Sequence, residues 1–127
     1  MKYMTIADVI ARVDNLKPNR FDMSDKIRWI SEIDGRIKTE IIDTHEGDEG
    51  IVFEGYNEDT DTDTVLLVPF PYDDIYIRYL DMQIDYANGE TAKYANSSVL
   101  FNEAYSTYYR YYNGRHMPKG KKFRFFG

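Results

Sequence analysis

The sequence predicts a mainly α fold: a small bundle of about four helices, with a β-hairpin excursion between helices two and three and an extended C-terminal tail. Three observations carry that expectation. Ile27, Ile30, Ile33, Ile37 and Ile41 recur at spacings of three and four, the mark of one apolar helical face. Two short apolar runs, residues 51–56 and 64–68, flank a polar stretch that reads as a turn. Beyond Gly114, Pro118 and Gly120 interrupt any helical pattern. The 127 residues amount to one domain, spanning 1–127 with residues 115–127 as its basic tail.

The first helix starts at Thr5, an N-cap, with Asp8 three residues on completing a capping box. Ile6, Val9, Ile10 and Val13 share one face, and Pro18 disfavours helix at Lys17. The second helix runs from about Asp25 to Asp43, with Ser24 as N-cap and Asp25 at the positive end of the helix dipole. Gly35 inside it points to close approach of another backbone. A lone hairpin is marginal in water, so the excursion has to pack on the helices or on a neighbour. The third helix takes Pro71 into its first turn and stops at Asn88-Gly89, where Gly supplies positive φ. The fourth runs from about Glu90 to Asn113 with Ala92, Ala95, Val99, Ala104, Tyr105, Tyr108, Tyr109 and Tyr112 on its apolar face.

Composition narrows function. Cys is absent, which excludes disulfides, Cys-ligated zinc and thiol nucleophiles. Only two His are present, too few for a multi-His metal site in one chain. No apolar run suits a membrane span, and the N-terminus has no apolar core of a signal peptide, so a soluble, intracellularly made protein is expected. Residues 1–113 carry 11 Lys/Arg against 22 Asp/Glu, whereas residues 114–127 carry five Lys/Arg and no acid. An acidic body disfavours binding to phosphates, because that affinity comes from cations.

The motifs that carry chemistry are missing. Asp59, Asp61 and Asp63 alternate like the start of a calcium loop, but Thr64 stands where Gly is needed and Phe70 where Glu is needed. A solvated acidic tip is the better reading. His45-Glu46 lacks the second His of a zinc-protease helix, since Glu49 holds that position. His45 is better placed as a residue flanking the end of helix two. There is no Gly-rich phosphate loop and no nucleophile elbow. No enzyme activity and no cofactor are expected. Twelve Tyr exceed what a core of this size needs, so Tyr105, Tyr108, Tyr109 and Tyr112 read as a subunit or partner interface. Phe123, Phe125 and Phe126, set among tail cations, read either as folded back on the bundle or as an arm that docks on a neighbour.

A set of segments together resembles one family. These are Trp29-Ile30-Ser31-Glu32-Ile33-Asp34-Gly35-Arg36-Ile37 with Thr44-His45-Glu46, then Leu66-Leu67-Val68-Pro69-Phe70-Pro71-Tyr72-Asp73-Asp74-Ile75-Tyr76. Gln83-Ile84-Asp85-Tyr86-Ala87-Asn88-Gly89-Glu90, Leu100-Phe101-Asn102-Glu103-Ala104-Tyr105 and Tyr112-Asn113-Gly114-Arg115-His116-Met117-Pro118 complete the set. They are similar to small structural proteins of tailed phages and prophages of Gram-positive bacteria, the head–tail connector (neck, or adaptor) group. The resemblance implies a helical virion protein that assembles with itself as a ring below the portal. It implies portal or tail-completion proteins as partners, and DNA that passes through without specific binding. The channel-facing candidates are then the acids Asp59, Asp61 and Asp63 of the excursion, or the Asp81 and Asp85 face. Two other readings stand beside it: a head- or tail-completion protein of the virion, and a non-viral acidic module that binds a basic protein.

Overall fold

The structure, a computed structural model, describes residues 2–47 and 50–119. Its element order is β1 (Tyr3–Thr5), α1 (Ile6–Leu16), α2 (Met23–Glu40), a 3₁₀ turn (Ile42–Thr44), β2 (Val65–Pro69), α3 (Asp74–Ala87) and α4 (Thr91–Arg115). Four helices and a two-stranded antiparallel sheet agree with the mainly α expectation.

The capping box at the start of α1 forms as the sequence predicts. Thr5 Oγ1 accepts from the Asp8 amide at 3.1 Å, and the Asp8 carboxylate accepts from the Thr5 amide at 3.0 Å. Two further helix N-terminal amides, which have no partner inside the helix, are met from the acidic segment. Ile6 N–H donates to the Thr64 carbonyl at 3.1 Å and Ala7 N–H to the Thr62 carbonyl at 2.9 Å. Ile6, Val9, Ile10 and Val13 are buried, as their spacing requires.

Helix α2 starts earlier and ends sooner than expected. Asp22, not Ser24, is the last extended residue, and Lys26 N–H closing onto the Asp22 carbonyl at 3.2 Å draws Ser24 and Asp25 into the first turn. At the other end the Thr44 hydroxyl lies 2.9 Å from the carbonyls of both Glu40 and Ile41. A side chain that takes the last carbonyls lets the chain tighten into the 3₁₀ turn instead of continuing as helix to Asp43. Gly35 meets no backbone: a Cβ there would be 3.8 Å from the Phe53 ring, an ordinary contact.

The strand between α2 and α3 forms, but its partner is not residues 51–56. β2 pairs with the N-terminal β1 (Tyr3 opposite Pro69, Thr5 opposite Val65). The amides of Leu67 and Val68 are taken by the side chains of Asp34 and Tyr76. Residues 51–56 lie along α2 instead, where the Ser31 hydroxyl accepts from Tyr56 N–H at 2.9 Å and Gly55 turns the chain at φ +92°. Pro71 precedes α3 in a turn that Tyr72 N–H closes onto the Pro69 carbonyl at 2.9 Å, so the helix opens at Asp74. Gly89, at φ +70°, ends the α3 region as predicted.

Helix α3 is central, packed against α1, α2 and α4. Helix α4, about 37 Å long at 1.5 Å per residue, buries Ser97, Phe101, Tyr108 and Tyr112. Ala92, Ala95 and Val99 face outward, contrary to expectation, with Val99 54% exposed. A polar contact sets this rotation: the Ser97 hydroxyl donates to the buried Asp85 carboxylate at 2.8 Å. Two alanines and one valine carry too little burial energy to outbid it.

Candidate interaction surfaces

The acidic segment is held by its own turns. Asp59 N–H donates to the Asn57 side chain at 2.8 Å, Asp63 N–H to the Asp61 carboxylate at 2.9 Å, and Thr64 N–H to the Asp61 carbonyl at 3.0 Å. These Asx turns, with the Thr62 and Thr64 carbonyls fixed on α1, hold the segment against the body. Glu54, Glu58, Asp59, Asp61 and Asp63 are exposed, and none forms an ion pair among the described residues. Asp43, at the start of the stretch, is paired with Lys38.

The Asp81 and Asp85 face is not a free acidic surface. The Lys17 ammonium bridges both carboxylates, reaching Asp85 at 2.5 Å. Asp85 is 2% exposed and also accepts from Ser97. Burial works against the Lys17 charge, yet the hydrogen bonds with Asp81 and Asp85 outweigh it and raise the ammonium pKa. These two acids pin α1 to α3 and α4, and the one ammonium balances one of their two charges, so the face keeps a single net negative charge, with Asp81 partly exposed.

The tyrosine stripe divides between core and surface. Tyr108 and Tyr112 are buried in the core, so they offer nothing to a neighbour. Tyr105 is half-buried: its hydroxyl donates to Glu40, and the Arg36 guanidinium lies 4.9 Å from its ring centroid. Tyr109 alone of the four is exposed, at 38%. The chain itself absorbs far more Tyr than expected, because aromatic pairs such as Tyr79–Phe101 and Tyr72–Tyr111 fill the seams around α3 and α4.

The start of the tail folds back on its own chain. His45 and Pro118 form an antiparallel bridge, with Glu46 N–H donating to the Met117 carbonyl and Lys119 N–H to the Thr44 carbonyl, both at 2.8 Å. His45 is 1% exposed. Its Nδ1–H donates to the Ile41 carbonyl at 2.6 Å, which places it at the end of α2 as expected, and Nε2 lies 3.0 Å from the Asn113 side-chain amide. The His116 ring stacks on Tyr112 with centroids 3.9 Å apart. Gly47, at φ +114°, makes room: a Cβ there would sit 2.8 Å from the His116 ring. Arg115 belongs to α4, so the strap is residues 116–119. Phe123, Phe125 and Phe126 lie outside the described residues.

The residue that sequence reasoning missed is Asp34. It is fully buried and joins three elements. Its carboxylate accepts from Tyr76 at 2.5 Å, Tyr56 at 2.7 Å and the Leu67 amide at 3.2 Å. The Tyr76 hydroxyl in turn accepts from Val68 N–H at 2.8 Å. Burial pushes the Asp34 carboxyl up to about 6, against the hydrogen bonds from Tyr76, Tyr56 and Leu67 that favour its charge. The signal was present: Asp34 stands four residues after Ile30 and three before Ile37, on the buried stripe, and a carboxylate there requires donors.

Among the described residues no group of three or more His, Asp or Glu side chains is placed to hold a metal ion, and no helix is long and apolar enough to cross a membrane. No family model, curated protein or solved structure matches the chain.

Proposed function

We propose that this chain is a phage structural protein, one subunit of a head–tail connector ring through which DNA passes below the portal. The observation that carries this reading is the row of exposed acids on the 54–63 segment. Glu54, Glu58, Asp59, Asp61 and Asp63 have no ion partner among the described residues and sit on a segment tied to α1 and α2. A conduit for DNA must not hold phosphates, and fixed carboxylates repel them at short range without needing a specific contact. Because the acids are carried on a buttressed segment, that field stays in place while DNA moves. The helical body beneath them supports the same role, since its buried polar groups are spent on joining elements together. The sequence resemblance to connector proteins is the second support.

Two measurements test the reading in order. The DNA flanking the gene should encode portal and capsid proteins on one side and tail proteins on the other. The purified chain, mixed with that portal, should then appear by electron microscopy as a ring on the portal's tail-side face. A chain that leaves the portal bare and instead binds a cationic protein as a monomer or dimer would replace this reading with the acidic binding module. A ring found only at the tail tube would make it a completion protein.

A further inference from the structure

A groove of about 300 Å³ lies between the start of α3 and the middle of α4. Tyr72, Leu100 and Ala104 give it apolar surface, and Asp74, Glu103 and Thr107 give it a polar rim. Asp74 and Glu103 form no ion pair among the described residues. Arg78, at its side, is likewise without an ion pair there and can lie over an aromatic face. Phe70, two residues before Tyr72, is 60% exposed. An apolar floor with carboxylates at its edge suits a segment in which aromatic residues alternate with cations. The chain carries such a segment beyond Lys119: Lys121, Lys122, Phe123, Arg124, Phe125 and Phe126.

The geometry of α4 decides whose segment reaches the groove. The strap is held on the His45 side, where α4 presents Tyr109, Tyr112 and Asn113. The groove meets α4 through Leu100, Glu103, Ala104 and Thr107. At about 100° per residue these two sets lie on opposite sides of the helix, and their centres are about 12 Å apart along its axis. A path round a helix of about 10 Å diameter is therefore about 20 Å. The four residues from Lys119 to Phe123 span at most about 14 Å. A chain's own Phe123 falls short of its own groove, and the six residues to Phe125 span only about 20 Å, so at full extension only the last two Phe reach it and residues 121–126 cannot seat there as a segment.

We infer that the α3–α4 groove receives the C-terminal aromatic–cationic segment, residues 121–126, of a second copy of this chain. The acidic 54–63 segment is the rival seat for the cations, but its exposed side chains are five carboxylates and the Asn57 amide, which give three Phe rings no apolar surface to bury. Exit on one side of α4 and a seat on the other make the contact head-to-tail, the kind that propagates from copy to copy. This deepens the ring reading by naming the contact that joins neighbours.

The absence of native Cys makes disulfide trapping clean. The full-length double variant T107C/F125C, oxidised at high protein concentration, should give a ladder of covalent oligomers. Mixing the T107C and F125C single variants should give about tenfold more covalent heterodimer than mixing N57C with F125C, because docking raises the effective concentration of the two thiols. Both Thr107 and Asn57 are exposed; T107C gives up only the hydroxyl's bond to the Glu103 carbonyl and N57C only the turn onto Asp59 N–H, so the buried core is untouched by either. Closed monomers in place of the ladder would overturn the inference in favour of folding back. Equal or greater trapping at Asn57 would overturn it in favour of the acidic segment. If the ladder forms but the portal stays bare, the contact stands and the portal-ring reading fails. If rings form on the portal but no ladder forms, this contact is wrong and the ring reading survives.

Discussion

Asp34 sets the stability of the bundle at the scale of one residue. Its carboxyl titrates near 6 in the folded chain against an ordinary 3.8, so the folded form holds the proton more tightly than the unfolded form. The stabilisation from this group is complete below about pH 4 and lost as the pH rises through about 6. Urea unfolding from pH 4 to pH 7 should show wild type losing about 2–3 kcal/mol relative to Asp34→Asn over that window, two pK units at about 1.4 kcal/mol each. Parallel curves would remove Asp34 as the titrating group. Asp34→Ala should cost roughly 2–4 kcal/mol at pH 5, because Tyr76 and the Leu67 amide are left as buried donors without an acceptor. Local chemistry of this kind is half legible in a sequence. An acid on an apolar stripe announces that donors are needed. It does not say that they come from a loop residue 22 positions away and a helix residue 42 positions away.

At the scale of elements, what could be read was what neighbours along the chain decide. Thr5 and Asp8 make the capping box within four residues, and Gly89 stops α3 by its own backbone freedom. What could not be read was set by distant partners. β2 pairs with β1 across sixty residues, and the first half of α4 turns its alanines outward because Ser97 bonds Asp85. The same Asp85 makes Lys17 the pin between α1 and the α3–α4 pair. Lys17→Ala should destabilise the protein by roughly 3 kcal/mol, since it strands a buried carboxylate. Adding Asp85→Asn to that variant should restore most of the loss, as the remaining amide carries no charge. Denaturant midpoints of the two single variants and the double variant give the coupling directly. Simple additivity would show that the bridge contributes nothing to α1 docking.

At the scale of the whole molecule, charge was legible and its arrangement was not. The acidic body and basic end are plain in the sequence. That Asp81 and Asp85 share the Lys17 ammonium, whereas Asp59, Asp61 and Asp63 have no ion partner among the described residues, depends on tertiary contacts. On the proposed connector role, replacing Asp59, Asp61 and Asp63 together with Lys should slow genome ejection from assembled particles, because each cation adds a phosphate contact, while loss of the Asp61 turn lowers the melting temperature by no more than a few degrees. Unchanged ejection would show that these acids do not border the channel. Two truncations separate the strap from the segment beyond it. Ending the chain after Lys119 should leave the melting temperature unchanged. Ending it after Arg115 should lower it by about 5 °C, the effect of roughly 1–2 kcal/mol in a domain of this size. The longer deletion removes the Glu46–Met117 and Thr44–Lys119 hydrogen bonds and the His116 ring on Tyr112. Equal melting temperatures for both would mean that the strap adds nothing to the fold.

The missing methyl at Gly47 has a consequence in angles. The His116 ring occupies the space where any other residue's Cβ would fall, and the backbone there is one that only glycine adopts without strain. The bearing at which the chain leaves the body is therefore fixed by a gap one carbon wide. A side chain at Gly47 would swing that bearing, leaving the helices where they are. In an assembly joined tail to groove, every junction would repeat the same angular error. A circle cannot absorb an error that accumulates, so a single methyl would change the number of copies that close it or open it into a spiral.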